Sequence, residues 1–210
     1  GGPTAVINSS LAGVYKNAIE RGFDKVYGML HGIQGLLDEQ YIDLSTQIHS
    51  ELDIELLKRT PSAFLGSCRY KLPESLEDPV YPALFKKFEE MNIGWFFYIG
   101  GNDSMDTVNK LSAYAKSISS DIRFAGIPKS IDNDLPHTDH TPGYGSAAKY
   151  IAASIAEMAH DVKIYDIPCV TIIELMGRNA GWLTGAAALA RNEYNELPQL
   201  IYLPEVDFDK

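Results

Sequence analysis

The densest chemistry in the chain is the run Pro128-Lys129-Ser130-Ile131-Asp132-Asn133-Asp134, which crowds a cation, a hydroxyl and two carboxylates into one short loop. Gathering so much charge is costly unless something binds there. If the loop is extended, Asp132 and Asp134 project to the same side. One carboxylate can then take the proton of an attacking hydroxyl while the other holds a magnesium ion or its water, with Lys129 neutralising phosphate oxygens. The competing account is an Asx-rich turn that caps the following segment.

Gly100-Gly101-Asn102-Asp103-Ser104 is a second candidate. Glycine has no Cβ, so backbone N–H groups can approach an anion closely, and a following helix offers its positive end. A strand-to-helix turn with Asp103 or Ser104 as the helix cap is the plainer alternative. Phe64-Leu65-Gly66-Ser67-Cys68-Arg69 is another glycine turn, ending in a guanidinium suited to bidentate grip on phosphate, although a surface salt bridge would also account for Arg69. In Met176-Gly177-Arg178, Gly177 gives a ligand room and Arg178 supplies charge, with a plain helix start as competitor.

Other constellations carry less. His137-Thr138-Asp139-His140 lacks the helical context and further ligands of a metal site. Ser67 and Ser104 have no His-Asp partner nearby in sequence, so a hydrolase triad has no support. Gly143 and Gly145 follow no strand, which argues for a tight helix entry over a dinucleotide fingerprint.

The elements that must position these residues alternate. Apolar, β-rich runs occur at Trp95 to Ile99, Ile122 to Ile127, Val170 to Glu174 and Leu200 to Leu203. Val108, Leu111, Ala115 and Ile118 recur at helical spacing, and Ala147 to Val162 is an alanine-rich amphipathic segment. Strand, helix, strand, helix predicts an α/β fold with a doubly wound, mostly parallel sheet, whose ligands bind outside the carboxyl ends of the strands. Three charged or glycine-bearing turns follow predicted strands, so one sheet edge is expected to carry the site. A domain boundary is expected at the long helix, giving one α/β domain over residues 1–144 and part of a second over 145–210.

Composition sets limits. A chain of 210 residues with 45% hydrophobic content can close one core and begin another. The net charge of -10 argues against broad nucleic-acid binding, so a phosphorylated ligand must meet a local basic site. No apolar run is long enough to span a bilayer and no signal peptide is evident. The two cysteines, Cys68 and Cys169, suit a reducing compartment and predict a cytoplasmic protein without disulfides. A glycine turn at the first residues with no strand before it, and a helix-like start at Val206 to Lys210, read as the ends of a fragment.

Taken in order, Gly1-Gly2, Phe64 to Arg69, Gly100 to Ser104, Pro128 to Asp134 and Met176 to Arg178 resemble the phosphofructokinase family across nearly the whole chain. The resemblance runs from the first glycine loop to the sugar-binding segment and omits the first strand and roughly the last third or more of a family member; it makes residues 1–144 the phosphoryl-donor domain and 145–210 part of a sugar-phosphate domain. Within that family, a lysine before the Ser/Thr-Ile-Asp-Asn-Asp loop and an acidic residue in the Gly-Gly loop characterise pyrophosphate-dependent members. Here these are Lys129 and Asp103. A carboxylate at Asp103 would repel the α-phosphate of ATP, while Lys129 balances the charge of pyrophosphate.

The resemblance implies transfer of a phosphoryl group from pyrophosphate to the 1-hydroxyl of fructose 6-phosphate with Mg2+, with ATP as the alternative donor. It implies Asp132 as the base, Ser130 steadying the transferred group, and Asp134 and Asp103 near the metal. Gly2, Arg69, Gly101 and Ser104 would line the donor, and Met176, Gly177 and Arg178 the sugar phosphate. It also implies a homo-oligomer. Two positions depart: Asn102 stands where many relatives have a metal-associated Asp, and Cys169 where ATP-dependent bacterial relatives have an Arg reaching a neighbouring subunit. An alternative of another class is a catalytically silent regulatory or sugar-phosphate-binding subunit.

Overall fold

The computed structural model describes residues 4–207. Two compact units divide the chain, Gly1–Lys129 and Ser130–Lys210. The division falls before the 144/145 boundary expected from the sequence. The loop after Lys129 folds back on the entry to the long helix, with Ser130 bridged to Gly143 and its N–H donating to the Pro142 carbonyl at 3.0 Å.

The first unit contains α1 (Ala5–Glu20), β1 (Tyr27–Met29), α2 (Gly32–Leu37), β2 (Tyr41–Asp43), α3 (Glu51–Arg59), α4 (Val80–Glu90), β3 (Trp95–Gly100), α5 (Asn102–Ser117) and β4 (Arg123–Pro128). β1 and β2 pair antiparallel, while β3 and β4 pair parallel in a register running from Trp95 opposite Arg123 to Gly100 opposite Pro128. A parallel pair needs a crossover, and α5 supplies it.

The pleat of β3 sends alternate side chains to two cores. Phe96 is buried against Leu84, Phe85 and Phe88 of α4 and Leu111 and Ala115 of α5, while Ile99 packs against the cluster of Leu11, Tyr15, Leu44 and Ile54. The α4 side chains Tyr81, Leu84, Phe85 and Phe88 recur at the spacing that places them on one helix face, and all are buried. Each such burial stabilises the fold by about 1.5–3 kcal/mol. α3 starts on a reciprocal cap in which the Ser50 hydroxyl accepts from the Asp53 N–H and the Asp53 carboxylate accepts from the His49 N–H at 2.9 Å.

The second unit contains α6 (Tyr144–Val162), α7 (Trp182–Ala186) and a 3-10 turn over Ala187–Ala190. Ile151 and Ile155 of α6 pack on Leu183, Ala187 and Ala190. The stretches Val170 to Glu174 and Leu200 to Leu203, expected as strands, are not strands. Neither meets a neighbour that would complete a hydrogen-bonded ladder within the described residues, and Val170 and Ile172 are 88% and 90% exposed. Leu175 and Ile201 still lean on the α6 core. No helix among the described residues is long and apolar enough to cross a membrane. Of the helix expected after Val206, Phe208 to Lys210 lie outside the described residues, and Val206 and Asp207 are not helical.

Candidate active site

The carboxyl end of the parallel pair is where the first unit's unusual residues meet. Gly100 ends β3 with no room for a side chain, because a Cβ there would lie 2.1 Å from the Ser104 hydroxyl. Gly101 is the N-cap of α5 and no side chain caps the helix, so neither Asp103 nor Ser104 takes the capping role weighed above. The N–H groups of Ser104 and Met105 turn back to the Gly101 carbonyl, and the preceding N–H groups remain available to an anion at the positive end of the helix.

Two motifs far apart in sequence line one cavity here. Gly66, Ser67 and Cys68 of the Phe64 to Arg69 turn face Tyr98, Gly100 and Ser104 across a space that Ile7, near the start of α1, also borders. Gly2 lies outside the described residues. The turn is held from below by Asn8, which is fully buried: its amide donates to the carbonyls of Thr60 and Ser62 at 2.9 and 3.2 Å and accepts from the Phe64 N–H at 2.7 Å. Burial, reinforced by the neighbouring Cys68, pushes the Tyr98 phenol up to about 12, so it stays protonated in neutral solution.

Beyond this turn the chain alternates in exposure: Cys68 and Tyr70 turn inward, Arg69 and Lys71 outward, and Leu72 is buried. Arg69 forms no ion pair among the described residues, which leaves its guanidinium open to a ligand. Lys71 reaches the Asp103 carboxylate at 3.3 Å. Lys110 of α5, almost wholly buried, donates to the Leu72 carbonyl at 3.1 Å and to Glu74 and Asp106 at 2.7 and 2.8 Å. These two carboxylates hold the Lys110 ammonium charged well beyond the usual lysine range.

β4 delivers Lys129, which is buried, its N–H donating to the Gly100 carbonyl at 3.0 Å. In the second unit the Ser130 to Asp134 segment is a compact turn, not the extended loop that would align Asp132 with Asp134. The Ser130 hydroxyl donates to the Asp134 carboxylate at 2.5 Å and accepts from the Asp132 N–H at 3.2 Å. Asn133, buried and at φ 58°, takes the left-handed conformation that Asn tolerates. Its amide donates to the Asp139 carbonyl at 3.1 Å and accepts from the Thr141 N–H at 2.9 Å, closing the loop. Asp132 is half-buried and Asp134 exposed.

Met176 and Arg178 are exposed on a turn whose Gly177 adopts φ 108°; a Cβ there would lie 2.3 Å from the Ala180 carbonyl. This turn belongs to the second unit and follows no strand, so the expectation of three strand ends on one edge holds for Gly100 and Pro128 only. The described residues contain no cluster of three or more His, Cys, Asp or Glu able to cage a metal.

A family model described as phosphofructokinase matches residues 1–210. The chain belongs to the phosphofructokinase family. A protein of Rhodospirillum rubrum named pyrophosphate–fructose 6-phosphate 1-phosphotransferase is 44% identical over 211 residues, covering 100% of this chain and 50% of its own length. The structure of a pyrophosphate-dependent phosphofructokinase from Marinobacter aquaeolei matches with a TM-score of 0.85 at 44% identity, over 100% of this chain and 52% of that one. Another, from Nitrosospira multiformis, matches with a TM-score of 0.87 at 42% identity, over 100% and 52%. The α/β fold expected from the strand and helix alternation, and the phosphofructokinase fold that the resemblance implied, are therefore the fold of this chain. The chain spans about half the length of the curated relatives it matches.

Sequence reasoning found the glycine turns of the phosphofructokinase chain but not the residues that brace them. Lys71 could have been reached from its place two residues after Arg69, on the same side of an extended run. Asn8 gives no such signal, because its partners are backbone groups more than fifty residues away.

Proposed function

We propose that the protein transfers a phosphoryl group from pyrophosphate to the 1-hydroxyl of fructose 6-phosphate, yielding fructose 1,6-bisphosphate and phosphate, reversibly. The observation that carries this reading is the bond from the Lys129 N–H to the Gly100 carbonyl. It joins the anion-receiving start of α5 to the strand that leads into the acidic loop. The acidic Asp103 beside Lys71, and the basic Lys129, favour a short diphosphate over a nucleotide.

In this reading the Asp132 carboxylate accepts the proton of the sugar 1-hydroxyl as that oxygen bonds to the nearer phosphorus of the donor. The bridging P–O bond breaks and its electron pair leaves with phosphate. Ser130 steadies the transferred group, and Gly2, Arg69, Gly101 and Ser104 receive the donor. Met176, Gly177 and Arg178 hold the sugar phosphate. Positioning and charge neutralisation carry most of the rate.

Magnesium suits this donor set. It is held by one or two carboxylates together with substrate phosphates and water, so the lack of a protein cage among the described residues is compatible with it. Asp103 and Asp134 each offer an exposed carboxylate, and the amide of Asn102 supplies no charge. When bound, the ion neutralises the charge on the diphosphate oxygens.

We place the protein in the cytoplasm as a homo-oligomer, the former supported by two free cysteines, Cys68 half-buried and Cys169 exposed. A coupled assay of the full-length protein with pyrophosphate and then ATP, with fructose 6-phosphate and magnesium, tests the reading. Turnover with pyrophosphate is expected; turnover with ATP alone, or with neither donor, would overturn it.

A further inference from the structure

The ion pair between Lys71 and Asp103 does little for the fold. Both side chains are largely exposed, at 74% and 67%, and a pair so wet contributes little to stability. Yet its geometry is fixed on both sides. Asp103 sits in the first turn of α5, and Lys71 directly precedes Leu72, whose buried side chain and Lys110-bonded carbonyl tie the loop to that same helix.

We propose that Lys71 is a positioning residue for donor choice, holding the Asp103 carboxylate across the approach that a nucleotide's inner phosphate would need. This rests on the donor site assigned above. Without the ammonium, the carboxylate is released to its other rotamers and its charge is uncompensated beside an incoming anion. Diphosphate then meets an Asp103 carboxylate that is neither oriented nor compensated, whereas ATP loses an obstacle.

The test is kinetic, in the full-length protein, with Lys71→Met, Lys71→Arg and Asp103→Asn alone and Lys71→Met combined with Asp103→Asn. Lys71→Met should raise KM for pyrophosphate about tenfold, the size expected for one charge-assisted contact. The same variant should change kcat by less than about twofold, because the pair touches no reacting atom. Lys71→Arg should restore KM, and in the Asp103→Asn background Lys71→Met should add little further. Calorimetric titration of magnesium pyrophosphate should show the same loss of affinity. An unchanged pyrophosphate KM, an equal kcat loss with both donors, or full additivity with Asp103→Asn overturns the inference while leaving the activity standing. A wild-type protein that uses ATP alone overturns both.

Discussion

The N–H of Lys129 donates to the carbonyl of Gly100 at 3.0 Å, one step past the last register pair of β3 and β4. The bond carries the parallel ladder one residue beyond the strands, so Gly101 and Lys129 leave the sheet side by side.

Asp132→Ala in the full-length protein should lower kcat by about 10²–10⁴, the usual contribution of a positioned base, while fructose 6-phosphate still binds. Steady-state rates paired with calorimetric binding of the sugar phosphate check this. Wild-type-like turnover would remove Asp132 from the role of base.

Asp103→Gly together with Lys129→Gly should shift the ratio of kcat/KM for ATP over pyrophosphate toward ATP by at least about tenfold. Coupled assays with each donor in turn give the ratio. If it stays where it was, neither side chain discriminates.

Asn133→Ala strands the Thr141 N–H and the Asp139 carbonyl and puts an alanine at φ 58°. A loss of about 1–3 kcal/mol in urea unfolding is expected, with a fall in kcat as the acidic turn loosens. Unaltered unfolding and rate would mean that the loop closes without its asparagine.

Asn8→Ala removes the three bonds through which Asn8 holds the Thr60 to Phe64 stretch beneath the Gly66 turn. It should destabilise the first unit by about 1–3 kcal/mol or more and raise KM for the phosphoryl donor. Denaturation midpoints and donor titration read the two effects separately, and an intact KM would show that the turn keeps its shape unaided.

The His49 N–H, with help from the Ser50 hydroxyl, holds the Asp53 carboxyl below the usual carboxylate range. Its folded pKa is therefore lower than the unfolded value of about 3.9. The unfolded chain takes up the proton more readily, so this contribution is present above about pH 4 and lost as the pH falls further. Urea midpoints at pH 7 and pH 3 should converge more in Asp53→Asn than in wild type. Equal acid sensitivity in the two proteins would contradict the assignment.

What the sequence disclosed and what it hid differ by where the stabilising contacts come from. Trp95 to Gly100, Arg123 to Pro128 and the helices between and after them were legible, because each carries its own periodicity over enough residues to be read locally. Val170 to Glu174 has the same β-rich composition but is not a strand, since a strand exists only through a neighbour and composition cannot supply one. In the site, the Ser130 to Asp134 chemistry was visible as residue types, but its compact shape was not. That shape depends on Asn133 reaching Asp139 and Thr141, both later in the chain. The short pairing of β1 with β2 and the Asn8 brace left no pattern to read, being made by few residues or by backbone groups remote in sequence.

Because β3 and β4 are direct neighbours, the interval between their ends at Gly100 and Pro128 is the spacing of adjacent strands, about 4.8 Å, and no side chain sets it. The sheet thus acts as a ruler. In the proposed reaction, substitutions in either loop would alter which phosphate compound is accepted without moving the graduation marks, so donor choice would change on an unaltered frame.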